Sequence, residues 1–192
     1  MKPSRIAETS LSLAGWKYEG PVPPEKKYVL LAVPHTSNWD GFLLIALTRS
    51  IGLKIDWMVK DAWVKGLLGP PMRSLGAVAI DRSRSKQVVD QMIEQFKQRD
   101  EFVLAIPPEG TRSRAEAWKS GFYHIARGAN VPVVPGYLDF GRKRAGLGAA
   151  ITMTGDVGAD MDRIRAFYAE KNPTAHAPAD FGPIRLREET PK

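Results

Sequence analysis

Short apolar runs alternate with amphipathic stretches along most of the chain. Residues 27–33 (KYVLLAV) are a brief apolar run closed by a proline, which predicts a buried strand. Residues 38–52 (NWDGFLLIALTRSIG) read as a helix ending near Gly52. A second strand is expected at 54–59, then a stretch over 60–76 that is helical in pieces and broken at Gly69-Pro70-Pro71. A third strand follows at 77–81. In 85–100, Val88, Val89, Met92, Ile93 and Phe96 share one face with polar residues opposite, the pattern of an amphipathic helix. Further strands are expected at 101–106, 131–138 and 149–155, and helices at 120–129 and 160–171. The prolines of 131–135 (VPVVP) place that strand at an edge or near a bend.

Strands alternating with helices predict an α/β class, a single domain with a largely parallel or mixed sheet flanked by helices. The expected organisation is an N-terminal segment at 1–26, a domain at 27–171 and a C-terminal tail at 172–192. The tail, rich in proline and charge, is expected to be extended and partly ordered at best. No internal repeat is visible. In sheets of this kind ligands sit beyond the carboxyl ends of strands. His35, Arg82 and Glu109 each follow an expected strand by a few residues, which suggests one shared site.

Composition narrows the chemistry. The 192 residues are 43% hydrophobic and 26% charged, a globular profile. There is no cysteine, so disulfides, thiolate nucleophiles and Cys-based zinc sites are excluded. A net charge of +7 favours phosphate-bearing partners. The basic residues are dispersed, and no nucleic-acid-reading motif is present, so nucleic acid is not an expected partner. The first residues have no sustained apolar core, and no stretch approaches the ~20 apolar residues of a spanning helix. The expectation is therefore a cytoplasmic protein that lies on the inner face of a membrane rather than crossing it. Residues 57–72, with two tryptophans and interspersed lysines, fit either a core helix and loop or a membrane-facing segment.

Residues 32–44 (AVPHTSNWDGFLL) place His35 five positions before Asp40. Ser37 and Asp40 have capping-box spacing, with Ser37 as the cap and Asp40 in the first turn. Under that reading alone His35 is an ordinary loop residue. The same cap also lets His35, just before the helix, fold back toward Asp40. The carboxylate can then orient one imidazole nitrogen and leave the other free as a general base. Two such ligands with no third nearby argue against a metal.

Residues 106–114 (IPPEGTRSR) set an acid, a glycine and two arginines after a strand. Gly110 permits a tight turn, and Arg112 offers a planar fork suited to phosphate. A surface turn with a local Glu109–Arg112 ion pair is the plainer alternative. Residues 76–82 (GAVAIDR) place Arg82 just after another strand. Taken in order, His-x4-Asp, Gly-x3-Ile-x-Arg, Pro-Glu-Gly-Thr-Arg-Ser and Val-Pro-Val-Val-Pro resemble the four blocks of the glycerolipid (PlsC-like) acyltransferases. That group includes the 1-acylglycerol-3-phosphate acyltransferases. The resemblance runs from about Val29 to Pro135. Pro34 stands where the family often has Asn, and Pro107 where it often has Phe.

The resemblance implies a glycerol-3-phosphate acyltransferase-like fold. It also implies transfer of a fatty acyl group from an acyl thioester, acyl-CoA or acyl carrier protein, to a hydroxyl of a lysophospholipid or glycerol phosphate. His35 is then the expected base and Asp40 its support. Arg82 and Arg112 are expected to hold the acceptor's phosphate in a pocket shaped by Glu109, Gly110 and Thr111. Neither a metal nor an organic cofactor is implied. Two rival expectations are a thioesterase or esterase-type hydrolase using the same His and Asp, and a non-catalytic membrane-surface lipid-binding module. The first lacks a Gly-x-Ser-x-Gly elbow; the second leaves His35 and Asp40 without a role.

Overall fold

Residues 1–80 and 85–189 are described by a computed structural model of the chain. Phe102–Ile106 (β5) is apolar at every position and buried at every position, as a strand covered on both faces must be. Lys27–Val33 (β2) lies beside it in parallel, pairing Val29 with Leu104 and Leu31 with Ile106. Val133–Asp139 (β6) flanks β2 on the other side, also parallel. Asp56–Lys60 (β3) and Ala77–Ile80 (β4) extend the sheet past β5. Arg144–Leu147 (β7) and Lys17–Glu19 (β1) extend it past β6. The seven strands run in the order β1-β7-β6-β2-β5-β3-β4, and among them only β6 and β7 are antiparallel. This is the mixed, largely parallel α/β sheet that the alternation predicts.

Alternate residues of the central strands serve opposite faces. Val29, Leu31, Val33, Leu104 and Ile106 meet the apolar stripes of Ser85–Gln98 (α4), Gly121–Ala129 (α5) and Val157–Lys171 (α6). Met92, Phe96, Phe122, Ile164 and Tyr168 fill that layer. Tyr28, Leu30, Val103, Ala105 and Val134 face the other way, under Leu44 and Ile45 of Asn38–Ser50 (α2). Arg5–Leu13 (α1) joins α2 on this side through Leu11 and Leu47. Three helices thus cover one face. The other rests largely on α2, which leaves Trp39 66% and Phe42 67% exposed.

Several expected elements are corrected. Gly69-Pro70-Pro71 does not break a helix but opens one, Gly69–Ser74 (α3). Prolines are tolerated there because first-turn N–H groups have no intrahelical partner. The strand expected at 149–155 is reduced to one bridge, Val133 with Ile151, and β7 lies earlier. A hairpin at 140–143 brings β7 back, closed by the buried Asp139 carboxylate accepting from the Arg142 N–H at 3.1 Å. The proline-bearing β6 is interior, not an edge. The Val133 N–H points to Ile151, so a donor at 135 would point the same way, toward the break at 148–150 between the bridge and β7. Its absence there forfeits no ladder bond. The C-terminal stretch does not trail away either. Leu186 is buried and bridges Trp118, while Phe181 and Ile184 pack against the core. Among the described residues no helix is long and apolar enough to cross a membrane.

Candidate active site

Because β2 and β5 are adjacent and parallel, the loops after Val33 and after Ile106 leave the same edge of the sheet. His35 lies on the first loop, two residues past the cis Val33–Pro34 bond. Ser37 caps α2, its hydroxyl accepting from the Trp39 N–H at 3.2 Å. Asp40 completes the capping box and does more. Its Oδ2 accepts from the N–H groups of Thr36 at 2.6 Å and Ser37 at 2.7 Å. The loop is thereby curled over a buried carboxylate, which sets His35 Nδ1 3.7 Å from the same oxygen. That separation is longer than a hydrogen bond. Asp40 Oδ1 is buried and has no partner.

Burial dominates the electrostatics. It lowers the pKa of His35, whose side chain is 26% exposed, and Arg112 adds to that lowering while Asp40 opposes it. The imidazole is therefore neutral at pH 7, with Nδ1 toward Asp40 and Nε2 away from it. Glu109 projects from the second loop and accepts from the His35 backbone N–H at 3.2 Å through Oε1. This bond ties the two loops together. Its other oxygen is buried and unpaired. Burial pushes the Glu109 carboxyl up to about 7, against backbone hydrogen bonds that favour the charged form.

Glu109, Gly110, Thr111 and Arg112 are brought to His35 as one turn. Gly110 adopts φ +65°, and its N–H donates to the Pro107 carbonyl at 3.2 Å. Thr111 is exposed, and its hydroxyl accepts from the Ser113 N–H at 3.3 Å. The plainer alternative, a local Glu109–Arg112 ion pair, is absent among the described residues. Arg112 reaches back to donate to the side chain of Asn38, the first residue of α2, so its guanidinium stands at the mouth of the His35 loop. Arg82 lies outside the described residues. It follows β4, which ends on the same side of the sheet as β5.

Other participants escaped the sequence reading. Asn38 anchors Arg112. The Thr36 hydroxyl accepts from the Ala177 N–H at 3.0 Å, tying the His35 loop to the C-terminal segment. The Lys119 side chain lies over Gly110. No local pattern marks Asn38 or Thr36, since each of their contacts joins residues far apart in the chain. A narrow apolar crevice of about 20 Å³ lies beneath α2, lined by Leu44, Leu47 and Ile51 against β2, β6 and β7. Among the described residues no group of three or more His, Cys, Asp or Glu could hold a metal ion.

Comparison with known proteins bears on this arrangement. A family model described as Acyltransferase matches residues 17–139, the span carrying both loops. Among solved structures, the chain is similar to the 1-acyl-sn-glycerophosphate (LPA) acyltransferase PlsC from Thermotoga maritima. The two share 18% identity with a TM-score of 0.60, over 88% of this chain and 77% of that one. No curated protein sequence matches significantly.

Proposed function

The chain belongs to the acyltransferase family, and within that family we propose that it moves a fatty acyl group from a thioester to a hydroxyl of a lysophospholipid or glycerol phosphate. The donor is acyl-CoA or acyl carrier protein, and no metal or organic cofactor takes part. The observation that carries this reading is a neutral, part-buried imidazole held 3.7 Å from a buried carboxylate, with a guanidinium at the mouth of the same loop.

His35 Nε2 takes the proton of the acceptor hydroxyl as its oxygen attacks the thioester carbonyl. The imidazolium so formed faces Asp40, whose charge it lacked as a full partner at rest. Collapse of the tetrahedral intermediate expels the thiolate, which recovers the proton from His35. No covalent enzyme intermediate is required, in keeping with a chain that has no cysteine. Arg112, with Arg82, holds the acceptor's phosphate and so fixes the hydroxyl against the carbonyl. Glu109, Gly110 and Thr111 shape that pocket. The exposed Trp39 and Phe42, beside the site on a basic protein, support work at the inner, anionic membrane surface.

The test is His35→Ala, assayed for acylated product by mass spectrometry with acyl-CoA and a panel of acceptors. Transfer should be abolished with circular dichroism and vesicle binding unchanged. Full activity in the variant removes His35 as the base. Thioester loss that needs no acceptor in the unaltered protein makes it a hydrolase instead.

A further inference from the structure

The C-terminal segment carries charge to the site in a way its composition does not suggest. Leu186 turns inward, buried, and its backbone bridges Trp118. The Trp118 N–H donates to the Arg185 carbonyl at 2.7 Å, and Arg185 Nε donates to the Glu116 carbonyl at 2.8 Å. Arg185, and Arg187 at the start of the short 3-10 turn 187–189, come to the same wall as the turn that holds Glu109 and Gly110. The Lys119 side chain lies over Gly110. The three cations line one open pocket together with Glu109, Gly110 and Glu116. Of its two acids, Glu109 is buried and Glu116 is drawn off by Arg114 at 3.8 Å. Among the described residues neither Lys119 nor Arg187 is ion-paired to a carboxylate.

We propose that this pocket, walled by Lys119, Arg185 and Arg187, binds the phosphoester of the acyl donor's pantetheine arm. The inference rests on the acyl-transfer reading above and adds a site to it. Neither His35 nor Arg112 lines this pocket. In a glycerol phosphate the phosphate lies a carbon or two from the reacting hydroxyl, so it belongs with Arg112 at the mouth of the His35 loop. In the donor the whole pantetheine arm separates phosphate from thioester. Its phosphate must therefore land away from the imidazole, and a cationic pocket displaced from His35 but sharing the Glu109–Gly110 turn suits it. Guanidinium and ammonium groups together match a phosphate's oxygens.

The test measures binding by calorimetry to the full chain, without turnover. Coenzyme A, 4′-phosphopantetheine, pantetheine and a holo acyl carrier protein are the donor-side probes, and lysophosphatidate is the acceptor probe. Arg187→Gln and Lys119→Gln should each weaken coenzyme A and phosphopantetheine about tenfold, the loss of one charge-assisted hydrogen bond. Pantetheine, which has no phosphate, and lysophosphatidate should be unchanged. Tighter wild-type binding of the carrier protein than of coenzyme A names the carrier as the source; the reverse names the nucleotide. Weakened lysophosphatidate with unchanged coenzyme A overturns the proposal and gives the pocket to the acceptor. Unchanged affinity for every probe, in variants whose circular dichroism is intact, overturns it as well. Failure of transfer in the His35 experiment leaves these affinities measurable, so the two readings fail separately.

Discussion

Replacing Glu109 with glutamine should make the protein's stability less dependent on pH, by an amount the structure sets. The Glu109 carboxyl is held at about 7 by burial, against an ordinary value of 4.5. At 1.36 kcal/mol for each tenfold change in proton affinity, ionising it in the fold costs about 3 kcal/mol. The unfolded chain releases this proton near pH 4.5, whereas the folded chain keeps it until about 7. Between those values the native state holds more protons, so this contribution is complete below about pH 4.5 and is lost as pH rises through about 7. Glutamine cannot ionise, yet its Oε1 can still accept from the His35 N–H. Its amide sets donors where Glu109 Oε2 is now unpaired, a pH-independent cost of about 1–3 kcal/mol. Urea unfolding of both proteins at pH 5, 6, 7 and 8, at constant ionic strength, isolates the effect. All other titrations cancel in the difference between the two. That difference should move in favour of the variant by about 2.5 kcal/mol from pH 5 to pH 8. A difference that stays flat, or moves the other way, refutes the claim that a buried, largely protonated carboxyl fastens the two loops.

Arg112→Ala should raise the acceptor's KM more than the donor's, and should also shift the acid limb of kcat/KM to higher pH. Burial and the Arg112 charge both hold the His35 pKa below 6.5, and the variant removes one of them; an unmoved limb breaks the coupling. Gly110→Ala puts a Cβ 2.6 Å from Lys119 Cε at a φ of +65°. A loss of about 1–2 kcal/mol in thermal or urea unfolding is expected, with Gly110→Asn milder because asparagine tolerates that conformation; equal losses would point to crowding alone. Leu186→Ala should cost about 2–5 kcal/mol, as for a core leucine. A loss below about 1 kcal/mol would put the C-terminal segment outside the cooperative core.

The central layer of the fold was legible because its residues speak locally. The apolar runs of β2 and β5 need no partner to be recognised, and the stripe from Val88 to Phe96 marks α4 by spacing alone. The start of α2 was legible from Ser37 and Asp40. What failed was set by distant chain. β7 (RAGL) has neither alternation nor bulk and is a strand because the Asp139–Arg142 turn folds it onto β6. Pro135 is interior because the neighbouring strand breaks beside it. Leu186, one apolar residue among charges, is core because Trp118 offers it a bridge. At the site, His35 and Asp40 were found together through a local motif. The partnership of Arg112 with Asn38 joins residues 74 apart, which no short pattern reveals.

The atoms of Asp40 show how the cap can also serve the proposed chemistry. Oδ2 serves the fold by accepting two backbone N–H groups. That use fixes the carboxylate and, with it, the distance to His35. The same fixed charge is idle toward a neutral imidazole, but acts on an imidazolium as soon as one forms. Two unit charges near 4 Å attract by about 4 kcal/mol at an effective dielectric of 20. Burial withholds that stabilisation at rest, since it keeps His35 neutral, and Arg112 reinforces burial. Under the proposed reaction an acceptor phosphate on Arg112 offsets the repelling charge, so the imidazole becomes a stronger base when substrate arrives. Under the proposed reaction the cap and the chemistry therefore share one carboxylate. In that reaction the cap is the rigid element that lets Asp40 oppose burial when a proton is transferred.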